Sequence, residues 1–166
     1  MPKSIKEKIK FFLKKKKLKK NGVVLHHHAY IAKTIFLGKA VIEPYCRFIG
    51  ADKITIGERF YANVGCHFLG NITIGSDVMI GPKTVIWGRD HGTATTMAMN
   101  QQKHISEDIK IENNVWIGAN VTILKGVRIG TGVIIGAGSV VVNDIDDNCI
   151  AVGNPAKVIK KRSEIC

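Results

Sequence analysis

Apolar residues recur every six positions along two long segments of this 166-residue chain. The later segment gives the column Ile111, Ile117, Ile123, Ile129, Ile135 and Val141. The earlier segment gives the column Ile56, Ala62, Phe68, Ile74, Ile80 and Ile86. A second, mostly apolar column precedes each of these by two positions, and glycine often follows the first column. A period of six matches neither a 3.6-residue helix nor a simple alternating strand.

The six-residue period fits a short strand followed by a sharp turn. Residues two apart point to the same side of a strand, and Ile and Val suit its pleated surface. A glycine beside the inward residue lets the backbone bend. Three such units make one coil of a triangular prism, and stacked coils pair as parallel strands about 4.8 Å apart. The pattern therefore predicts a parallel β-helix, in which each inward side chain lies above its equivalent eighteen residues earlier.

The segments "ITIGSDVMIGPKTVI", "NNVWIGANVTILKGVRIGTGVIIGAGSVV" and "GNPAKVIKKR" resemble the hexapeptide-repeat acyltransferases, and within them the galactoside, maltose and polysaccharide O-acetyltransferases. The resemblance covers residues 35–162. It implies an all-β fold, a left-handed parallel β-helix, and a homotrimer with each active site between neighbouring prisms. We expect one acyltransferase domain over residues 23–166, preceded by a short basic amphipathic helix within residues 1–22.

The repeat is interrupted by an external loop at about residues 87–108, where 25 positions separate two members of the column, Ile86 and Ile111. Loops of this length are usually functional or disordered. The loop contains "GRDHGT", which resembles the stretch that carries the catalytic histidine in the family. The resemblance implies that His91 is the general base and that Asp90 contributes to substrate binding. An imidazole can take the proton of an attacking alcohol and return it to a leaving thiolate.

Other candidate residues come from the same resemblance. The stretch "FYANVGCHF" is similar to one in which an asparagine contacts the acceptor, which implies that role for Asn63. The acidic residues that often follow in the family are missing from the matching run, "LGNITIG". The resemblance also implies that five residues bind the acyl donor, acetyl-CoA, and it implies no metal. These five residues are Trp116, Ala119, Ala137, Lys157 and Lys160.

The resulting expectation is an enzyme, an acetyl-CoA-dependent O-acetyltransferase that modifies a sugar or a polysaccharide or lipid-linked glycan precursor. N-acetylation of an amino sugar and a non-catalytic β-helix that serves assembly stay open as alternatives. A carbonic anhydrase would need three zinc-binding histidines, and His67, His91 and His104 lack the required spacing. His104 has no match in the family, and the role of His26, His27 and His28 stays open.

The positive charge of the chain is concentrated at its N-terminus. Residues 1–20 contain ten lysines and one glutamate, so nine of the twelve net positive charges lie there. Ile5, Ile9, Phe12 and Leu13 have helical spacing and would form one apolar stripe. Such a helix suits contact with an anionic membrane surface. A helix packed on the open end of the β-helix and a solvated arm are the alternatives. No motif for binding nucleic acid accompanies it.

The four cysteines are widely spaced, at positions 46, 66, 149 and 166, and none forms a C-x-x-C pair. The apolar run at the N-terminus is too short for a secretory signal or a transmembrane span. Reduced thiols, and therefore a cytoplasmic protein, are expected. The basic helix would allow peripheral contact with the inner face of the membrane as one alternative.

Overall fold

The computed structural model describes residues 5–32, 34–49 and 53–163. The described chain contains one α-helix, α1 (Ile5–Lys20), one short 3-10 helix (Met99–Gln101) and many short strands. In chain order the strands are β1 (Val23–Leu25), β2 (Tyr30–Ile31), β3 (Thr34–Phe36), β4 (Ala40–Ile42), β5 (Arg47–Ile49), β6 (Ile54–Ile56), β7 (Phe60–Ala62), β8 (His67–Leu69), β9 (Ile72–Ile74), β10 (Met79–Ile80), β11 (Val85–Trp87), β12 (Arg89–Asp90), β13 (Ile105–Ser106), β14 (Ile109–Ile111), β15 (Trp116–Ile117), β16 (Thr122–Leu124), β17 (Arg128–Ile129), β18 (Ile134–Ile135), β19 (Val140–Val141), β20 (Cys149–Val152) and β21 (Lys157–Lys161).

Three sheets form the walls of a parallel β-helix of about seven turns. The eight-stranded sheet has the order β1-β4-β7-β10-β15-β18-β20-β21, the six-stranded sheet β19-β16-β11-β8-β5-β2, and the five-stranded sheet β17-β14-β9-β6-β3. Neighbouring strands are parallel, except that β21 returns antiparallel to β20. Ile56 pairs with Ile74 and Ala62 with Ile80, an offset of eighteen residues. The fold class predicted from the six-residue period is confirmed.

Both columns of the repeat point into the prism and form its core. Their members are buried almost completely, including Ile56, Ile86 and Ile123. Phe48 and Phe68 stack in successive coils with ring centroids 4.2 Å apart. The buried hydroxyl of Thr84 is satisfied because it donates to the Gly118 carbonyl at 2.9 Å. Burial of one of the inward isoleucine or valine side chains stabilises the fold by roughly 1.5–3 kcal/mol.

The turns from the eight-stranded to the six-stranded sheet form one edge of the prism, which we call edge 1. Backbone amides link successive turns there: Gly65 donates to the Pro44 carbonyl and Lys83 to the Val64 carbonyl, both at 2.9 Å. Each turn contains one residue with left-handed backbone conformation, which directs equivalent side chains into a column along the edge. These residues are His28, Tyr45, Gly65, Lys83, Asn120 and Gly138.

Helix α1 packs on the first coil through one face only. The Lys14 ammonium donates to the carbonyls of Ala32 and Ile31, and Leu18 contacts the core. Residues 14 and 18 share a face because they are one helical turn apart. Ile9, Phe12 and Leu13 are 56%, 67% and 58% exposed. Of the predicted apolar stripe, Phe12 lines a cavity between α1 and β1, and the side chain of Ile5 lies outside the described part of the chain. The contacts with the first coil are made by Lys14 and Leu18, on another face of α1. Within the described residues, no helix is long and apolar enough to cross a bilayer.

Candidate active site

The interruption in the repeat is a β-hairpin that projects from the corner between the six- and five-stranded sheets, which we call edge 2. It leaves the coil after Trp87 and returns before β14. Strands β12 and β13 pair antiparallel, with Arg89 opposite Ser106 and Asp90 opposite Ile105. At the base, the Gly88 amide donates to the Leu69 carbonyl at 2.7 Å. The predicted external loop is thus present, and it has strand pairing of its own.

One side chain holds the distal part of the hairpin. The amide nitrogen of Gln102 donates to the carbonyls of Ala94 and Met97 at 2.8 and 2.9 Å, and its oxygen accepts from the Ala94 amide at 2.9 Å. Gly92 is buried beneath this side chain, and a Cβ at position 92 would come within 2.8 Å of Gln102. A glycine next to His91 is therefore required by close packing, which fixes the path of the backbone beside the imidazole.

His91 and His104 meet across the hairpin. Their ring centroids are 4.6 Å apart with an interplanar angle of 77°, an edge-to-face contact. Both imidazoles line a cavity of about 170 Å³ whose remaining walls are Leu69, Trp87, Arg89 and Asp90. His91 itself is exposed. This cavity combines an accessible imidazole with an apolar floor, which is suited to general-base chemistry on a small group.

The sequence did not predict that His104 contacts His91. It has no match to a family motif, and it lies thirteen residues from His91 in the chain. The hairpin pairing brings the two together because Asp90 and Ile105, their chain neighbours, are opposite each other. Each histidine is next to a two-residue strand, β12 (Arg89–Asp90) or β13 (Ile105–Ser106), and neither strand has a pattern that would reveal the pairing.

Charged groups surround the base of the cavity. The Lys125 ammonium pairs with the Glu107 carboxylate below the hairpin. The hydrogen bond to Glu107, together with the negative charges of Glu107 and Asp90, raises the pKa of Lys125. Lys125 therefore stays cationic near Asp90, the residue predicted to contact substrate.

Asn63 lies on edge 1, at the opposite side of the six-stranded sheet from His91. It precedes strand β8, whereas His91 follows the neighbouring strand β11. Its backbone is supported by the preceding coil, since the Cys46 thiol donates to the Asn63 carbonyl at 3.0 Å. Its side-chain oxygen accepts from the Val64 amide at 2.7 Å. One chain therefore does not bring the two predicted active-site residues together.

Cys46 and Cys66 lie in the core directly below the Asn63 turn. The Cys66 thiol donates to the Gly81 carbonyl at 3.2 Å. The hydrogen bond with Cys46, together with burial, raises the pKa of Cys66. This thiol is therefore protonated at neutral pH and acts as a hydrogen-bond donor inside the turn. Cys46, Cys66 and Cys149 are free and buried, and Cys166 lies outside the described residues.

Three of the residues predicted to bind the acyl donor lie along edge 1. Ala119 and Ala137 occupy the same turn position in successive coils, since Gly118 closely approaches Ala137. Lys157 pairs with Val152, at the end of β20 nearest this edge. Lys160 lies farther along β21, opposite Ile150, and both lysines are exposed. Two small residues and one cation, Lys157, therefore lie along this edge.

Trp116 points outward from the eight-stranded sheet and is 53% exposed. It belongs to an outward apolar column that crosses the seven parallel strands of the sheet. By strand register, the members of this column are Val24, Val41, Tyr61, Met79, Trp116, Ile134 and Ile150. Met79 is also 53% exposed. A continuous apolar surface of this kind is typical of a contact between protein chains.

Among the described residues, no group of three or more His, Cys, Asp or Glu side chains is arranged to hold a metal ion.

Comparison with known proteins identifies the family. The family profile "Bacterial transferase hexapeptide (six repeats)" matches residues 108–143. A maltose O-acetyltransferase from Clostridium difficile 630 has a similar structure, with a TM-score of 0.72 and 31% identity over 99% of this chain and 79% of that one. The chain belongs to the hexapeptide-repeat acyltransferases. Within them it falls in the galactoside, maltose and polysaccharide O-acetyltransferase branch.

Two further members of this family differ in their acceptor chemistry. The galactoside O-acetyltransferase of Escherichia coli K12 is 39% identical over 74% of this chain and 61% of its own length. The N-acyltransferase AntD from Bacillus cereus, as an S84T mutant in complex with dTDP and coenzyme A, has a TM-score of 0.77 and 25% identity, covering 90% of this chain and 89% of AntD. The chain spans between 58% and 65% of the length of the first curated relatives it matches.

Proposed function

We propose that the protein transfers an acetyl group from acetyl-CoA to a hydroxyl of a sugar or glycan, with His91 as the general base. The observation that carries this proposal is the exposed imidazole of His91 on a hairpin that interrupts an otherwise regular β-helix. Its cavity, with Trp87 and Leu69 as apolar walls, offers a place for an acyl group. The maltose and galactoside acetyltransferases similar to this chain support a sugar as the acceptor.

The proposed reaction assigns one proton path to His91. The imidazole removes the proton of the sugar hydroxyl as the oxygen attacks the thioester carbonyl. The tetrahedral intermediate then expels the CoA thiolate, which takes the proton back from His91 to leave free CoA thiol and an O-acetyl ester. Such a base contributes about 10²–10⁴-fold to the rate. The His104 ring contacts the His91 imidazole edge-to-face and so limits the orientations that the His91 ring can adopt.

We propose that acetyl-CoA lies along edge 1. Ala119 and Ala137 provide a surface without bulky side chains, and Lys157 and Lys160 provide cations for the pyrophosphate and 3′-phosphate. Trp116 lies just before this edge and would cover the donor from the side of the eight-stranded sheet. The complex of AntD with coenzyme A supports this class of ligand.

We further propose a homotrimer in which each active site combines edge 2 of one chain with edge 1 of the next. His91 and Asn63 lie at opposite edges of one chain, so a site that uses both needs two chains. The outward apolar column with Met79 and Trp116 supports a tight contact between chains.

Subunit mixing tests this arrangement. His91→Ala and Asn63→Ala should each remove activity alone. When the two variants are co-expressed, a site is intact only where a chain that keeps His91 adjoins a chain that keeps Asn63, so about a quarter of the sites should recover. Light scattering should give the mass of three chains. A monomer, or mixed assemblies without recovered activity, would exclude the shared site.

The acetyl transfer itself is tested by release of free CoA thiol from acetyl-CoA, with a panel of sugars and glycans. Turnover with one acceptor, lost in His91→Ala while thermal stability is kept, is the expected result. Turnover that survives in His91→Ala excludes His91 as the base.

A second candidate function, N-acetylation of an amino sugar, is favoured by the similarity to AntD. Amino sugars in the same panel, with the product linkage read by its stability to mild alkali, separate amide from ester.

We also propose that α1 binds the surface of an anionic membrane, which would place the enzyme at the cytoplasmic leaflet. Ile9 and Leu13 are exposed on the side of α1 opposite Lys14 and Leu18, and Phe12, which is 67% exposed, lines a cavity between α1 and β1. Lysines dominate the rest of the helix, and each lysine near an anionic surface contributes about 1 kcal/mol. Apolar side chains that enter the headgroup region beside cations describe an interfacial helix.

Cosedimentation with vesicles tests the membrane proposal. Wild type should bind vesicles of phosphatidylcholine and phosphatidylglycerol, bind phosphatidylcholine alone weakly, and dissociate in high salt. The double variant Phe12→Ser, Leu13→Ser should lose binding. Val142→Ser, which replaces an exposed valine remote from α1, is the matched control. Equal binding by the double variant and the wild type would refute the proposal, and a changed oligomeric mass would assign the stripe to a contact between chains.

A further inference from the structure

A polar and aromatic cluster lies on edge 1 in the two coils that precede Asn63, and the reaction proposed above makes no use of it. Its polar part is centred on Glu43. One carboxylate oxygen of Glu43 is 3.8 Å from Nε2 of His26, and the other accepts a hydrogen bond from the Tyr61 hydroxyl at 3.4 Å. Burial and the neighbouring Glu43 charge raise the pKa of Tyr61, which keeps its hydroxyl protonated as a donor.

The aromatic part of the cluster consists of three rings. His28 and Tyr45 stack with centroids 5.1 Å apart and an interplanar angle of 10°. The His27 ring meets both edge-on, at 5.2 Å and 5.7 Å. All three side chains are exposed, and Tyr45 is 55% exposed. The stack arises because His28 and Tyr45 occupy the same left-handed turn position in successive coils, with φ of 57° and 62°.

The cluster adjoins the Asn63 turn directly. The Glu43 amide donates to the Ala62 carbonyl at 2.9 Å, and the Pro44 carbonyl accepts from the Gly65 amide at 2.9 Å. Residues 43–45 therefore lie one coil, about 4.8 Å, from residues 62–65. From there the cluster continues away from Asn63 by one more coil, to His26–His28. The cluster therefore lies next to the turn of Asn63, the residue predicted to contact the acceptor.

We propose that this cluster is a binding subsite for a second sugar residue of the acceptor, so that the substrate is a glycan of two or more units. The inference rests on the proposed acetyl transfer and names the substrate class of that site. A sugar ring presents a C–H face that packs on an aromatic ring, and hydroxyls that donate to a carboxylate or bond to imidazole and phenol. Glu43 thus supplies the carboxylate that the run after Asn63 lacks.

The experiment compares acceptors of one and more units: glucose with maltose, galactose with lactose, and sialic acid with its linear trimer. The variants are Glu43→Gln and Tyr45→Asn, the latter because asparagine tolerates the left-handed backbone. Arg59→Asn is the matched control, since Arg59 has the same backbone conformation, with φ of 52°, between the five- and eight-stranded sheets. In any of these acceptor pairs that the enzyme turns over, each variant should raise the KM for the longer acceptor about three- to tenfold. The KM for acetyl-CoA, the turnover of the single-unit acceptor and all constants of the control should stay near wild type.

Unchanged acceptor KM in both variants, or the same change for the single unit and the longer glycan, would overturn the subsite while leaving acetyl transfer intact. Absence of turnover with every acceptor counts against the proposed reaction on this panel and does not decide the subsite. Saturation-transfer NMR with maltose, lactose and the sialic acid trimer then decides it. Saturation that reaches a glycan in the wild type and in Arg59→Asn, but not in Tyr45→Asn, supports the subsite. Absence of saturation with all three glycans, or its persistence in Tyr45→Asn, overturns it.

Discussion

The stacked coils and the hairpin of residues 88–107 are held by different interactions. In the coils, nearly every inward side chain is buried and rests on its equivalent in the next coil, as Ile56 does on Ile74. In the hairpin, only Gly88 and Gly92 are buried. Two residue pairs between β12 and β13 and the three hydrogen bonds of Gln102 hold its shape. The coils therefore carry the stability of the fold, whereas the hairpin carries a site that contributes little to stability.

The largest expected effect tests the coils. Ile56→Ala removes a fully buried side chain from the five-stranded sheet, on the wall remote from edge 1. It should lower the free energy of unfolding by about 2–5 kcal/mol, measured by denaturant unfolding. Activity per folded molecule should be unchanged. Ile35→Ala, on the adjacent strand β3 with an outward side chain that is 45% exposed, is the control and should cost far less. Equal losses in both variants would contradict the inward register.

Gln102→Ala tests the hairpin and should have the next largest effect. Loss of the bonds to Ala94 and Met97 frees the segment beside His91, and each bond contributes about 0.5–1.5 kcal/mol to local order. We expect kcat to fall about tenfold or more, with a melting temperature close to wild type. Gln101→Ala, the neighbouring exposed residue, serves as the control. A melting temperature that falls as far as in Ile56→Ala would mean that the hairpin supports the fold.

His104 tests whether packing alone orients His91. An aromatic edge contact contributes about 0.5–1.5 kcal/mol, so His104→Ala should lower kcat about three- to tenfold. His104→Phe keeps a ring at the same place and should retain most of the activity, with the same pH profile. If His104→Phe is as inactive as His91→Ala, His104 takes part in proton transfer and is a catalytic residue.

The smallest expected effect concerns His67, on the outer side of the six-stranded sheet. Burial, together with the positive charge of Arg47, lowers the pKa of His67. The unfolded chain therefore binds a proton more readily than the native chain as the pH falls below about 6.5, and stability decreases there. The melting temperature should drop by about one degree more in wild type than in His67→Gln between pH 7 and pH 5.5. An identical pH dependence in both proteins would show that His67 is not shielded in the coils.

The sequence predicted the coils well because the information is local and repeated. Each inward position, such as Ile117 or Val121, follows from the six-residue period. Alternate side chains of a strand point inward, and each turn is followed by a new strand at the same position of the period. It also predicted the hairpin as an excursion with His91, because the excess of residues between Ile86 and Ile111 breaks that period. The contact of His91 with His104 was not predictable in this way, because the distance between two loop residues depends on a strand pairing that leaves no periodic signal.

The amino-acid sequence by itself determined the β-helix, its inward columns and the position of the external loop that carries His91. Only the tertiary structure decided which residues share an edge. Asn63, Ala119 and Lys157 lie on edge 1, and His91 lies on edge 2. The edge on which a turn lies depends on which two sheets it connects, and not on its separation from another turn along the chain. The cluster of Glu43 and Tyr45 beside Asn63 has the same origin. Residues one coil apart become neighbours only when the coils close and their backbone amides and carbonyls pair.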